Sequence, residues 1–245
     1  MPVTVEIRDA APSAAVFDAV FSDLTRVDRM FSPFLTESAV SRINARTLRE
    51  ADADPLVAEV LARCRDHEVL TYGYFNAWSG GRLDPSGFVK GWAIARACAI
   101  LDRHGHRNYF VDGAGDVQTR GEREPGVAWR VGIRHPVERS KVARVVLARD
   151  LAVATSGTYE KGSHIQDPHT GLPATALVSL TVTGPDIVTA DVFATAAFAM
   201  GLAGLPFIEA RPGYEAYAID PALRARWTSG FEALCAPEMG GGADR

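Results

Sequence analysis

The sequence predicts an α+β fold, one compact domain in which mixed or antiparallel sheets are flanked by helices. Three observations predict it. Helical-period segments gather in the first part of the chain, strand-like segments are concentrated in the second half, and the two do not alternate strictly as a doubly wound parallel sheet would require. With 245 residues, 47% hydrophobic and 23% charged, the chain carries enough apolar surface for one large core.

Residues 3–7 alternate and read as a short strand. Residues 13–31 carry Val16, Val20, Phe21, Leu24, Val27 and Phe31 at helical spacing, and Pro33 ends that helix. Residues 55–70 repeat the pattern with Val57, Val60, Leu61 and Cys64. From Thr71 to Asp84 the glycines Gly73, Gly80 and Gly81 lie among aromatics, with Pro85 just after, and the stretch reads as a loop. A third helix is expected over 87–104, with Phe88, Trp92, Ala95, Cys98, Ala99 and Leu101 on one side. Segments 109–111, 129–133, 142–148, 178–182 and 214–219 alternate or run apolar and read as strands. A small-residue helix is expected over 190–202 and a last helix over 221–234. Residues 1–238 form the domain, and 239–245 read as a disordered tail.

A net charge of −4 and the lack of any Lys/Arg block argue against a nucleic-acid partner. Cys64, Cys98 and Cys235 lie far apart in no metal-ligand spacing; Cys64 and Cys98 read as small buried hydrophobes in a reducing compartment. No window reaches the roughly 18 apolar residues that span a bilayer, and the first residues do not read as a leader. The chain therefore reads as cytoplasmic, without a membrane segment.

Four segments mix glycines, hydroxyls and carboxylates in ways a core does not need. In Asp84-Pro-Ser-Gly-Phe-Val-Lys-Gly-Trp-Ala93, Asp84 before Pro85 marks a helix start, Ser86 and Gly87 open it, and Gly87 and Gly91 allow close approach of a backbone or ligand. Lys90, one turn in, can meet a phosphate or simply be solvated. In Val111-Asp-Gly-Ala-Gly-Asp-Val117 a strand runs into glycines whose N–H groups can approach an anion; the same residues also suit an ordinary tight turn. Ala154-Thr-Ser-Gly-Thr158 is a hydroxyl-rich turn shortly before Ser163-His-Ile-Gln-Asp-Pro-His-Thr-Gly171, where His164 and Asp167 can reach one site. In Thr189-Ala-Asp-Val-Phe-Ala-Thr-Ala-Ala-Phe198, Asp191 and Thr195 are i and i+4, so a carboxylate and a hydroxyl present two hard oxygens on one helix face. Such ligands suit Mg²⁺; a helix-dipole role explains Asp191 alone but not the pair.

Taken together and in order, these segments resemble the ApbE family, the FAD:protein FMN transferases. Phe31-Ser-Pro-Phe, Ser38 and Ser41-Arg-Ile-Asn44 look like the family's F-S…S-x-x-S-R-x-N element. DPSGFVKGWA resembles D-x-G-G-x-A-K-G-x-A, and VDGAGDV resembles N-x-G-G-D. ATSGTYEKGSHIQDPHTG is similar to T-S-G followed by H-I-x-D-P-x-T-G, and TADVFATAAFAMG to A-D-x-x-A-T-A. The match runs from about Phe31 to Gly201. Val89 stands where the family usually has Ala, Ser86 where it often has Gly, and Ser163 replaces the first of a frequent His-His pair. The stretch between Gly73 and Asp84 is shorter than the family's.

The resemblance implies a transferase that moves FMN from FAD onto a Thr or Ser hydroxyl of a flavin-acceptor protein and releases AMP. It implies a Mg²⁺ site made by Asp191, Thr195 and the main-chain carbonyl of Val89. It implies that backbone and side-chain groups of Ser86, Gly87, Asp112, Gly113, Gly115, Asp116, Thr155, Ser156 and Gly157 hold FAD, and that His164, Asp167 and Lys90 act in catalysis. Two rival readings use the same residues: a Mg²⁺-dependent FAD pyrophosphatase in which water attacks, and a flavin- or nucleotide-binding protein without catalysis.

Overall fold

The structure, a computed structural model, describes residues 1–9, 12–138, 140–158 and 165–237. The expected tail at 239–245 lies outside the described residues. The first third is helical: β1 (Val3–Ile7), α1 (Ala14–Phe31), α2 (Ala39–Asn44) and α3 (Pro55–Leu70). The start of α3 follows from its sequence. Asp54 accepts a hydrogen bond from the Leu56 N–H at 2.8 Å, and Pro55 occupies the first turn, where its missing donor costs nothing. A two-residue hairpin, β2 (Trp78–Ser79) with β3 (Arg82–Leu83), interrupts the stretch expected as a loop and leads into α4 (Ser86–Arg103).

The remaining elements are β4 (Tyr109–Gly113), β5 (Asp116–Arg120), β6 (Trp129–Arg134), β7 (Val142–Ala148), β8 (Ala152–Gly157), β9 (Ser179–Gly184), α5 (Ile187–Ala199), α6 (Gly204–Glu209), β10 (Glu215–Ile219) and β11 (Ala225–Trp227). Seven strands form one sheet in the order β1-β4-β5-β8-β9-β10-β11, with every pairing antiparallel. The fold is α+β, as expected.

Helices cover one face of this sheet. Val16 and Val20 of α1, Ile94 and Leu101 of α4, and Ile187, Ala190 and Phe198 of α5 pack with Val111, Ala154 and Val182 in one core. Val27, Phe31, Val57, Val60, Phe88 and Val192 extend it as a second cluster between the helices. The β6–β7 hairpin covers the opposite face. Its Trp129, Val131 and Val146 meet Val117, Val153 and Tyr217 of the sheet, and the alternation of buried and exposed residues along β6 follows from packing one side only. β9 has cover on both faces and is buried throughout.

Three expectations are corrected. Residues 221–234 are not a helix. Ala225–Trp227 pair with β10, and only the short 3₁₀ turn Phe231–Leu234 is helical. The hydroxyl-rich segment 154–158 is not a turn but the end of β8, where Thr155 pairs with Thr181. The small-residue helix begins at Ile187, earlier than 190, and ends at Ala199.

Candidate functional site

The site lies where α4 crosses α5 above the sheet. Glycine allows that crossing. A Cβ on Gly91 would stand 2.7 Å from the Ile187 carbonyl oxygen and 3.1 Å from Asp191 Cβ, while one on Gly87 would stand 3.5 Å from Thr195 Oγ1. The i, i+4 pair Gly87/Gly91 on one helix thus faces the i, i+4 pair Thr195/Asp191 on the other.

Asp191 is buried, and its Oδ2 accepts the Gly91 N–H at 2.9 Å. It does not cap α5. That role belongs to Asp186, whose Oδ1 accepts the Thr189 N–H at 2.9 Å and whose Oδ2 accepts the Tyr214 hydroxyl at 2.6 Å. The helix-dipole explanation of Asp191 therefore fails, because no acidic residue lies in the first turn of α5.

Lys90 points between two carboxylates. Its Nζ is 2.5 Å from Asp116 Oδ2 and 3.5 Å from Asp191 Oδ1. Asp116 reaches this position from the β4–β5 turn. Gly113 pairs with Asp116, so the loop is Ala114-Gly115 alone, and both residues have positive φ (54° and 95°), as a type I′ hairpin requires. Asp112 Oδ1 accepts the Gly115 N–H at 2.7 Å and closes the turn. Asp116, 1% exposed, accepts the Thr155 N–H at 3.0 Å through Oδ1. Its other oxygen, Oδ2, is buried and forms the ion pair with Lys90.

Two carboxylates share one ammonium in this site. Burial pushes the Asp191 carboxyl up; Lys90 pulls it down, Asp116 adds to the rise, and the balance stays above the usual carboxylate range. Burial alone would lower the Lys90 pKa, but Asp191 and Asp116 more than offset it and hold the ammonium charged.

Lys90, Asp116, Asp191, Thr195 and the Thr155 backbone come together. Ser86 is exposed at the start of α4, where its N–H meets Asp84 Oδ1 at 3.0 Å, and Val89 lies one residue before Lys90. Gly113 has a packing reason of its own, since a Cβ there would stand 2.8 Å from Ile94 Cδ1. Ser156 and Gly157 finish β8 opposite Leu180 and Ser179. Asp167 organises its own loop. Its Oδ1 accepts the His169 N–H at 2.9 Å, its carbonyl accepts the Gly171 N–H at 2.8 Å, and His169 Nε2 lies 3.0 Å from the Tyr72 carbonyl. His164 lies outside the described residues.

Asn44, quoted only as part of a motif, has a definite task that its sequence context does not signal. Its Nδ2 donates to the Leu83 carbonyl and its Oδ1 accepts the Leu83 N–H, each at 2.8 Å, which anchors β3 just before α4.

The donor set suits a hard cation. Asp191, the Thr195 hydroxyl and the Val89 carbonyl all offer oxygen. Among the described residues no three His, Cys, Asp or Glu side chains form a metal cage; Mg²⁺ is a hard cation that takes few protein ligands. A separate concavity of 660 Å³ between α1, α2 and the start of α3 shares no residue with this cluster. Among the described residues no helix is long and apolar enough to cross a membrane.

The ApbE family profile matches residues 1–81 and 77–218, and the two stretches meet in the β2–β3 hairpin. Proteins named FAD:protein FMN transferase are similar to this chain. One from Vibrio cholerae is 36% identical over 129 residues, 49% of this chain and 39% of that protein. Another from Treponema pallidum is 32% identical over 174 residues, 63% of this chain and 48% of that protein. The matched stretch is thus under half the length of these curated relatives. The solved flavin transferase ApbE from Vibrio cholerae has a TM-score of 0.80 at 22% identity, with 95% of each chain covered. The ApbE protein from Thermotoga maritima has a TM-score of 0.82 at 23% identity, with 94% of each covered. These likenesses establish the fold.

Proposed function

The chain belongs to the ApbE family, and from that premise we propose that it is a FAD:protein FMN transferase. FAD is the substrate, a Thr or Ser hydroxyl of an acceptor protein is the nucleophile, and AMP is the leaving group. The observation that carries this reading is the buried Lys90–Asp116–Asp191 cluster with Thr195 beside it, at a helix crossing that two glycines keep tight.

Asp191, Thr195 and the Val89 carbonyl would hold Mg²⁺, which when bound supplies positive charge to the pyrophosphate oxygens. The chain's own residues do the rest. The Gly87 N–H, at the start of α4, would receive a phosphate oxygen; the Ser86 and Gly115 N–H groups are held by Asp84 and Asp112 and would have to exchange those partners to do so. Lys90 keeps part of the site's negative charge neutral, so that a dianionic pyrophosphate can approach. His164 takes the proton as the acceptor hydroxyl oxygen bonds to the phosphorus of the FMN half. The bond from that phosphorus to the bridging oxygen breaks, and AMP leaves with the oxygen. Asp167 shapes the loop just after His164. Because the 73–84 stretch is short, FAD is held through its AMP and pyrophosphate half more than through its flavin ring.

Mass spectrometry of a flavin-acceptor domain incubated with this protein, FAD and Mg²⁺ tests the reading. A mass gain equal to FMN, with AMP released, is expected. AMP with free FMN and an unmodified acceptor would make the protein a pyrophosphatase. Bound, intact FAD with neither product would make it a binding protein.

A further inference from the structure

We propose that Asp116 is a positioning residue that draws the Lys90 ammonium away from Asp191 and so keeps an Asp191 oxygen open to a divalent cation. The inference rests on the reading that Asp191 and Thr195 take Mg²⁺. It adds a residue from a different strand with a different task.

The geometry is asymmetric. Lys90 Nζ is 2.5 Å from Asp116 Oδ2 but 3.5 Å from Asp191 Oδ1, although all three belong to one cluster. Asp116 is the fixed member. It opens β5, is 1% exposed, and its other oxygen is tied to the Thr155 N–H of β8 at 3.0 Å. The ladder between β5 and β8 pairs only Val117 with Val153 and Gln118 with Ala152, so the Asp116 carboxylate extends the join by one side-chain bond. Among the described residues its Oδ2 has no partner besides the ammonium, which lies 2.5 Å away.

Lys90 is the movable member. A four-carbon stem carries its charge as a point, and the side chain is 29% exposed. A shift of about 1 Å would bring it into full contact with Asp191, since opposite charges gain energy as their separation falls. An ammonium seated there would compete directly with a cation for the same oxygen. The Asp116 charge prevents this, and the Gly91 N–H occupies only Oδ2 of Asp191.

The test is Mg²⁺ titrated calorimetrically into the full chain without FAD, with thermal melting of each variant. Asp116→Asn keeps an acceptor for the Thr155 N–H but removes the charge. It should weaken Mg²⁺ binding by about tenfold or more, the low end of what an adjacent unit charge does to such an equilibrium. Removing the competitor should then restore binding, so the double variant Asp116→Asn/Lys90→Met should regain most of the loss. Lys90→Met alone, with Asp116 intact, should bind Mg²⁺ at least as tightly as wild type. A merely structural Asp116 would not be rescued by removing Lys90. Asp116→Asn binding like wild type, a double variant as weak as the single, or weakened binding in Lys90→Met would each overturn the inference while leaving the metal site standing. Wild type that binds no Mg²⁺ would overturn the metal site and this inference together.

Discussion

Gly91 donates its backbone N–H to Asp191 Oδ2 at 2.9 Å across 100 residues of sequence, and a side chain at 91 would push the two helices apart. A Cβ there would meet the Ile187 carbonyl oxygen at 2.7 Å, which is backbone and cannot swing away. Gly91→Ala should therefore destabilise the protein by about 1–3 kcal/mol in urea unfolding, despite alanine's better helix propensity. Gly87→Ala is the control. Its Cβ would stand 3.4 Å from Phe75 and 3.5 Å from Thr195, ordinary contact distances, so stability should change by less than about 1 kcal/mol.

Asp191 should matter more to metal dependence than Thr195, because an ionised carboxylate attracts a cation by charge and a hydroxyl only by its dipole. Asp191→Asn keeps the shape and removes the charge. AMP release followed against Mg²⁺ concentration should show a shifted and depressed curve for Asp191→Asn and a smaller shift for Thr195→Val. Identical curves for both variants and wild type would remove the metal from this helix. Asp186 caps α5, so neither change should be confused with loss of a cap.

His164→Ala should lower FMN transfer by about a hundred- to ten-thousand-fold, the usual cost of losing a general base. FAD affinity should stay close to wild type, since the base acts on the incoming hydroxyl rather than on the nucleotide. Single-turnover transfer beside equilibrium FAD binding separates the two. Wild-type turnover would reduce His164 to a structural residue.

Asp9 gives a pH-dependent prediction in a region remote from the chemistry. Its Oδ2 accepts the Arg107 N–H at 2.6 Å and the Asn108 N–H at 3.0 Å, and Oδ1 accepts Asn108 Nδ2 at 2.8 Å, fastening the end of β1 to the start of β4. Burial works to raise its pKa, but these donors outweigh it and lower the pKa below the ordinary 3.8. A depressed folded pKa means the ionised form is preferred in the folded state. The contribution is present above pH 3.8 and is lost as the pH falls through the folded value. Asp9→Ala should cost about 1 kcal/mol at neutral pH, a modest figure because the group is partly solvated. The gap to wild type should close in acid; a gap independent of pH would mean the donors do not hold the charged form.

The helices were legible where period and punctuation agreed. Asp54-Pro55 followed by Val57, Val60, Leu61 and Cys64 marks α3 because cap, first turn and apolar face all favour one state. The segment 221–234 misled for the opposite reason. Its alanines and leucines suit a helix, but Asp220 binds the Ala222 and Arg224 N–H groups at 2.9 and 3.0 Å, Leu223 takes φ 60°, and pairing of Ala225 with Ile219 overrides local propensity. Thr155 and Ser156 resemble turn residues, yet the fold places them in a strand against Thr181 and Leu180. At the site, Asp191 with Thr195 was readable because helical spacing alone sets their shared face. The Lys90–Asp116 contact was not readable, because 26 residues and a change from helix to sheet separate the partners and no periodicity links them. Asn44 likewise reaches across 39 residues to Leu83.

The hundred-residue span between Gly91 and Asp191 also orders events at the ribosome. Chains emerge from the N-terminus at about 5–20 residues per second, and contacts distant in sequence form late. Helix α4 and the β4–β5 turn are made well before α5, so a nascent chain holds Lys90 and Asp116 while it still lacks Asp191 and Thr195. Until α5 folds onto α4, no carboxylate from that helix completes the cluster. Truncated or stalled chains ending before residue 187 therefore lack Asp191 and Thr195, and with them the proposed metal site.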